Sequence, residues 1–176
     1  MSNDPVRRLD VFFYGLFMDE ALLRSKGLDP TNRRLAAVPG FRLVIGERAT
    51  LVPSPSETVH GVVFALSQAE LDSLYSEPSV SIYRPETVKA KLATGETVEA
   101  VCFNLPTPPH DSVRNLEYAV RLAELATRIG LPADYVASLK RQGRNENDYV
   151  EMDCWRFTNS GRDRRRALKA ADGSST

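Results

Sequence analysis

Cysteine and histidine are scarce in this chain, and neither is clustered. The two cysteines, Cys102 and Cys154, stand far apart and form no CxxC pair, so a disulfide framework, a redox motif and a structural zinc site all lack support. Two histidines, His60 and His110, leave little room for a Ser-His-Asp arrangement, and no nucleophile elbow accompanies them. There is no Gly-rich phosphate loop, dinucleotide fingerprint or zincin helix. Charge of one sign is also missing: 23 Lys and Arg balance 23 Asp and Glu, so no overall field favours a nucleic-acid or membrane partner. The N-terminus lacks the basic-then-apolar build of a signal peptide, and no apolar run is long enough to cross a bilayer. The expected setting is reduced and cytoplasmic.

What is present fits one domain of ordinary globular composition, with 42% hydrophobic and 26% charged residues in 176. We expect that domain to occupy residues 1–160. Residues 161–176, with the basic run Arg162–Arg166 and a Gly-Ser-Ser-Thr end, read as a flexible tail. Strand patterns fall at Leu9–Tyr14, Phe41–Ile45, Thr50–Pro53, Val59–Leu66, Tyr83–Leu92 and Thr97–Leu105. The Pro53-Ser54-Pro55-Ser56 run is predicted as a turn, and Thr94-Gly95-Glu96 as the turn of a hairpin. Asp19 is a plausible cap for a short helix to Ser25, and Ser67 with Glu70 forms a capping box for a helix to about Tyr75. A longer helix, capped by Asp111 or Ser112, is predicted to reach Ile129 with Val113, Leu116, Val120 and Ala123 on one face. Gly130 stops it, and Pro132 opens a last helix through Lys140. Strands first and helices last argue for an α+β domain.

Two segments could carry chemistry. The apolar strand from Val11 ends in Phe13-Tyr14-Gly15-Leu16-Phe17-Met18, a tight loop whose backbone N–H groups can hold an anion without a charged side chain. Glu77 lies just past a helix, before Pro78 and between Tyr75 and Tyr83. A carboxylate desolvated by such neighbours would be raised toward the range useful in general acid–base work. With so few histidines, a carboxylate is the better candidate for moving a proton.

Taken in order, these stretches resemble the γ-glutamylcyclotransferase family. Tyr14-Gly15 is similar to its Tyr-Gly loop, Gly40-Phe41-Arg42-Leu43 to its next segment, and Val59-His60-Gly61-Val62-Val63 to its central strand. Leu74–Glu77 with Tyr83 resembles its acidic motif, and Gly130-Leu131-Pro132 with Tyr135 and Asn147-Asp148-Tyr149 resembles its closing segments. The likeness runs over about residues 10–150. It implies a small mixed β-barrel with flanking helices and a pocket at its mouth. It also implies a γ-glutamyl or related carboxylate substrate held by Tyr14, Gly15, Leu16, Phe17 and Tyr83, with Glu77 shuttling the proton and no metal or organic cofactor. The substrate's α-amine would attack its own γ-carbonyl, releasing 5-oxoproline and an amine or amino acid.

Two departures from the family pattern bear on the substrate. Leu16 stands where a serine is usual, removing a hydroxyl, and Pro78 stands where glycine usually follows the acid, restraining Glu77 toward extended conformations. A non-catalytic pocket protein of the same fold, binding a small carboxylate or acylated partner, is therefore the alternative reading. The surroundings of Glu77 discriminate: enclosure in a cleft beside the Tyr14–Phe17 loop favours catalysis, and exposure or a plug by Phe17 favours binding. Residues 78–82 and 141–147 are the expected specificity walls. Oligomeric state is left open.

Overall fold

In a computed structural model of the chain, which describes residues 6–109 and 114–143, five strands close into a barrel. They are β1 (Arg8–Phe13), β2 (Thr31–Ile45), β3 (Ala49–Ser67), β4 (Arg84–Leu92) and β5 (Thr97–Asn104), in the spatial order β1-β3-β2-β4-β5. Neighbours are antiparallel except at the closing seam, where β1 runs parallel to β5 and Val11 pairs with Val101. This is the mixed barrel with flanking helices that the resemblance implies. The alternation along β4 and β5 follows from one-sided burial: Val88, Ala90, Leu92, Ala100 and Cys102 point inward. In β1, by contrast, Val11, Phe12 and Phe13 are all buried, so both faces of that strand are covered.

The sheet differs from the sequence expectation in its middle. Phe41–Ile45 is the end of a 15-residue strand that begins at Thr31, and the two strands expected at Thr50–Pro53 and Val59–Leu66 are one strand of 19 residues. Pro53–Ser56 does not end that strand. Pro39 pairs with Thr58 and Phe41 with Pro53, so residues 54–57 oppose Gly40 alone, in a bulge where Ser54 Oγ donates to Glu57 Oε2 at 2.7 Å. Gly40 takes φ +85°, which a side chain there would strain. Further along β3, a Cβ on Gly61 would lie 2.2 Å from the Phe13 carbonyl oxygen, so glycine is what lets β1 and β3 approach.

Among the described residues, four α-helices flank the barrel: α1 (Glu20–Ser25), α2 (Gln68–Leu74), α3 (Leu116–Ile129) and α4 (Ala133–Gln142). Asp19 caps α1 through the Ala21 N–H, and the Ser67–Glu70 capping box opens α2 with both of its bonds made. The cap of α3 is Asn115, which accepts from the Tyr118 N–H; Asp111, Ser112 and Val113 lie outside the described residues. The buried face of α3 is Ala119, Leu122, Ala123, Leu125 and Ala126, whereas Val120 is 45% exposed. Of the expected face, Ala123 is buried and Val120 is not, and Val113 lies outside the described residues. Gly130 ends α3 in the left-handed region at φ +91°, and Pro132 precedes α4 as its cap. Buried side chains of α2, α3 and α4 join those of the strands in one apolar cluster. No helix among the described residues is long and apolar enough to cross a membrane. Cys154, His110 and the basic tail lie outside the described residues, as does part of the stretch expected to form the domain.

Candidate functional site

The loop after β1 is a single 3₁₀ turn. Tyr14 continues the strand direction, Gly15 opens the turn Leu16–Met18, and the N–H groups of Met18 and Asp19 donate to the carbonyls of Gly15 and Leu16 at 3.0 and 3.1 Å. The first N–H groups of such a turn have no partner within it. That of Leu16 donates to the Tyr118 hydroxyl at 3.4 Å, while those of Gly15 and Phe17 have no acceptor among the described residues. Gly15 has φ −108°, open to any residue. Glycine is required for another reason: a Cβ would sit 2.5 Å from Tyr118 Oη.

Glu77 comes from the segment that follows α2. After α2 the chain turns tightly, with the Val80 and Ser81 N–H groups both donating to the Glu77 carbonyl at 3.0 and 2.9 Å. The side-chain carboxylate accepts from Lys26 Nζ on both oxygens, at 2.9 and 2.8 Å, and is 36% exposed. Lys26 closes α1, and its ammonium also lies 5.9 Å from the centre of the Phe17 ring. Glu77 shares the cavity lining with Phe17, Tyr75 and Tyr83, and its carboxylate is also held in an ion pair with Lys26. Lys26 was not foreseen, since it stands 51 residues away with no local pattern to mark it.

Aromatic rings build the wall between these two segments. Tyr75 stacks on Phe103 at 3.7 Å and 15°, meets Phe17 edge-on at 6.4 Å, and lies 6.5 Å from Tyr83. The Tyr14 hydroxyl donates to the Phe103 carbonyl and the Tyr83 hydroxyl to the Ala49 carbonyl, each at 2.6 Å. Burial pushes the hydroxyls of Tyr14, Tyr75, Tyr83 and Tyr118 upward, so all four stay protonated and none is a base.

A cavity of about 490 Å³ lies among these elements. Its lining contains every site residue expected from the sequence: Tyr14, Gly15, Leu16, Phe17, Glu77 and Tyr83. It also contains Lys26, Arg48 and Tyr118, which sequence reasoning missed. Arg48 Nη1 is buried with no hydrogen-bond acceptor among the described residues. Of the expected walls, Ser79 and Val80 line this cavity, whereas Arg141 and Gln142 line a separate one of about 410 Å³ beside β2. Residues 144–147 lie outside the described residues. His60 is absent from the lining; its ring lies 5.1 Å from that of Tyr135, and burial lowers its pKa. Among the described residues no three His, Cys, Asp or Glu side chains gather to ligate a metal.

Residues 11–120 match the family model described as gamma-glutamyl cyclotransferase, AIG2-like. Among solved structures, a protein described as a gamma-glutamyl cyclotransferase is 21% identical with a TM-score of 0.65, over 80% of this chain and 90% of its own. An uncharacterized protein from Homo sapiens is 23% identical with a TM-score of 0.63, over 79% of this chain and 90% of its own. YkqA from Bacillus subtilis is 22% identical with a TM-score of 0.64, over 78% of this chain and 54% of its own. At these identities the likeness shows the fold. No curated protein matches the chain by sequence.

Proposed function

The chain belongs to the gamma-glutamyl cyclotransferase, AIG2-like family, and from that premise we propose that its cavity cyclises a γ-glutamyl compound to 5-oxoproline, releasing an amine or amino acid. One observation carries the reading: a carboxylate, Glu77, and two N–H groups without an acceptor among the described residues, those of Gly15 and Phe17, belong to residues lining one cavity. The N–H groups hold the substrate's α-carboxylate. Its α-ammonium takes the place of Lys26 against Glu77, which exchanges one ammonium for another at little electrostatic cost.

Glu77 then accepts a proton from that ammonium. The freed amine attacks the γ-carbonyl carbon and a C–N bond closes the five-membered ring. Glu77 gives its proton to the departing nitrogen as that bond breaks, and the ring nitrogen's second proton passes to the released amine, which leaves as an ammonium. Holding nucleophile and carbonyl in one folded chain supplies on the order of 7–11 kcal/mol of the barrier, so few catalytic groups are needed. The protonated tyrosines and apolar Leu16 and Phe17 shape the wall and exclude water. A reduced, cytoplasmic setting is part of the proposal, and Cys102 is a free buried thiol.

The test is 5-oxoproline release from a panel of γ-glutamyl compounds by the native chain and by Glu77→Gln, which keeps shape and removes the proton transfer. The expected result is turnover by the native chain and a loss of about 10²–10⁴-fold in the variant. Equal rates in the two proteins would end the assignment of Glu77. The Lys26–Glu77 ion pair also favours a second reading, a non-catalytic pocket that binds small carboxylates. Carboxylate binding without any 5-oxoproline would decide for it.

A further inference from the structure

Of the two cations lining the cavity, one is satisfied and one is not. Lys26 has both oxygens of Glu77. Arg48 has no carboxylate partner among the described residues, and Glu47 beside it is exposed and makes no ion pair with it. A guanidinium N–H buried without an acceptor costs the desolvation of a charged donor, so its retention calls for a reason. The planar fork of arginine matches a carboxylate in geometry as well as in charge.

The backbone that carries Arg48 is fixed in advance. It sits in the turn between β2 and β3, where the Gly46 N–H donates to the Arg48 carbonyl at 3.1 Å. The Asn115 N–H donates to the Gly46 carbonyl at 3.0 Å and its side-chain amide to the Glu47 carbonyl at 3.4 Å, tying the turn to the start of α3. On the other flank the Tyr83 hydroxyl holds the Ala49 carbonyl. A turn pinned from both sides spends little entropy in presenting its side chain to a ligand.

We infer that Arg48 receives a second carboxylate, the one on the departing half of the substrate, so that the cavity selects γ-glutamyl amino acids or peptides over γ-glutamyl amines. The inference rests on the cyclotransfer reading, in which the Gly15 and Phe17 N–H groups already take the α-carboxylate of the γ-glutamyl half. It adds a residue from a different element and narrows the substrate class.

Two substrates that differ by that carboxylate alone, γ-glutamyl-alanine and γ-glutamyl-ethylamine, read the inference as a ratio of kcat/KM. The native chain should prefer the alanine compound by about tenfold or more. Arg48→Gln should bring the ratio close to one, and Arg48→Lys, which keeps the charge and loses the fork, should retain part of it. A native ratio near one overturns the inference even if Arg48→Gln fails to fold, as does an unchanged ratio in a folded Arg48→Gln. Should neither compound yield 5-oxoproline, cyclotransfer fails, and calorimetric titration with suberate and octanoate, whose chain matches the span between the two carboxylates of a γ-glutamyl amino acid, still tests Arg48. Suberate binding at least tenfold tighter than octanoate, lost in Arg48→Gln, supports a second carboxylate site; equal binding of the two acids overturns it.

Discussion

Alanine at position 15 would set a methyl carbon 2.5 Å from Tyr118 Oη, with the next neighbour, the ring carbon Cζ, at 3.9 Å. The first distance is a clash and the second an ordinary contact, so the whole obstacle is one oxygen atom. Since the backbone at Gly15 suits any residue, no dihedral strain adds to it. Relief requires Tyr118 to withdraw or the loop to shift. Overpacking of this kind costs about 1–3 kcal/mol. Withdrawal also gives up the 3.4 Å bond from the Leu16 N–H, which at that length is a weak one. The assay is a double-mutant cycle by urea unfolding. Gly15→Ala should destabilise the native background by about 1–3 kcal/mol. Against Tyr118→Phe, which removes the oxygen, the same change should cost under about 0.5 kcal/mol, a coupling well above the usual scatter of independent sites. Equal cost in both backgrounds would refute the argument and place the need for glycine elsewhere in the loop.

Gly61→Ala is the harsher case, because the atom met at 2.2 Å is the Phe13 carbonyl oxygen, part of the backbone, and no side chain can swing aside. A loss of about 3 kcal/mol in urea unfolding is expected; a fully stable variant would contradict the close approach of β1 and β3. Lys26→Met should lower KM for a γ-glutamyl substrate by about two- to fivefold, since the substrate ammonium no longer displaces a partly exposed ion pair. A higher KM would show that Lys26 helps to hold substrate. For Glu70, burial acts to raise the carboxyl, but N–H groups of Ser67 and Asp29, then Arg8, outweigh it and hold the group below 4.5. A folded value below the unfolded one means stability present above pH 4.5 and lost as pH falls through the lowered value. Glu70→Gln should therefore lie closer to the native chain in acid than at neutral pH, and a gap that widens in acid would reverse the sign.

Local signals in the sequence carried far. The Ser67–Glu70 capping box, the Gly95 hairpin and the Gly130 helix stop each depend on a few adjacent residues, and each forms as read. The barrel's middle was harder, because Thr31–Gly40 mixes two arginines and a proline into its alternation. Pairing with Thr58–Ala65 on one side and with Lys91 and Leu92 on the other makes it a strand. Pro53–Ser56 has the composition of a turn, yet two prolines fit a bulge as well, and long-range register decides between them. Asp111, Ser112 and Asn115 have equal local claims to cap α3, and the sequence alone does not separate them. At the site, the Tyr14–Phe17 loop, Glu77 and Tyr83 stood out through motif resemblance, whereas Lys26, Arg48 and Tyr118 reach the cavity from separate elements. Tyr118, for instance, meets Leu16 across 102 residues. No short window contains such a pair.

The parallel seam between β1 and β5 has a kinetic consequence. Two hairpins, β2 with β3 and β4 with β5, can zip from short turns, but the seam joins the first strand of the barrel to the last. It carries one registered pair, Val11 with Val101, reinforced by the Tyr14 hydroxyl bond to Phe103 across 89 residues. Loop-closure entropy makes such a contact late and rate-limiting. Tyr14 and Phe103 also line the cavity, so the binding wall is completed in the same event that closes the barrel. A chain caught before that event has hairpins but no receptor, and a ligand that fills the cavity stabilises the closed barrel alone. Refolding followed by ligand binding should then trail refolding followed by backbone structure, with the interval between the two signals timing the seam.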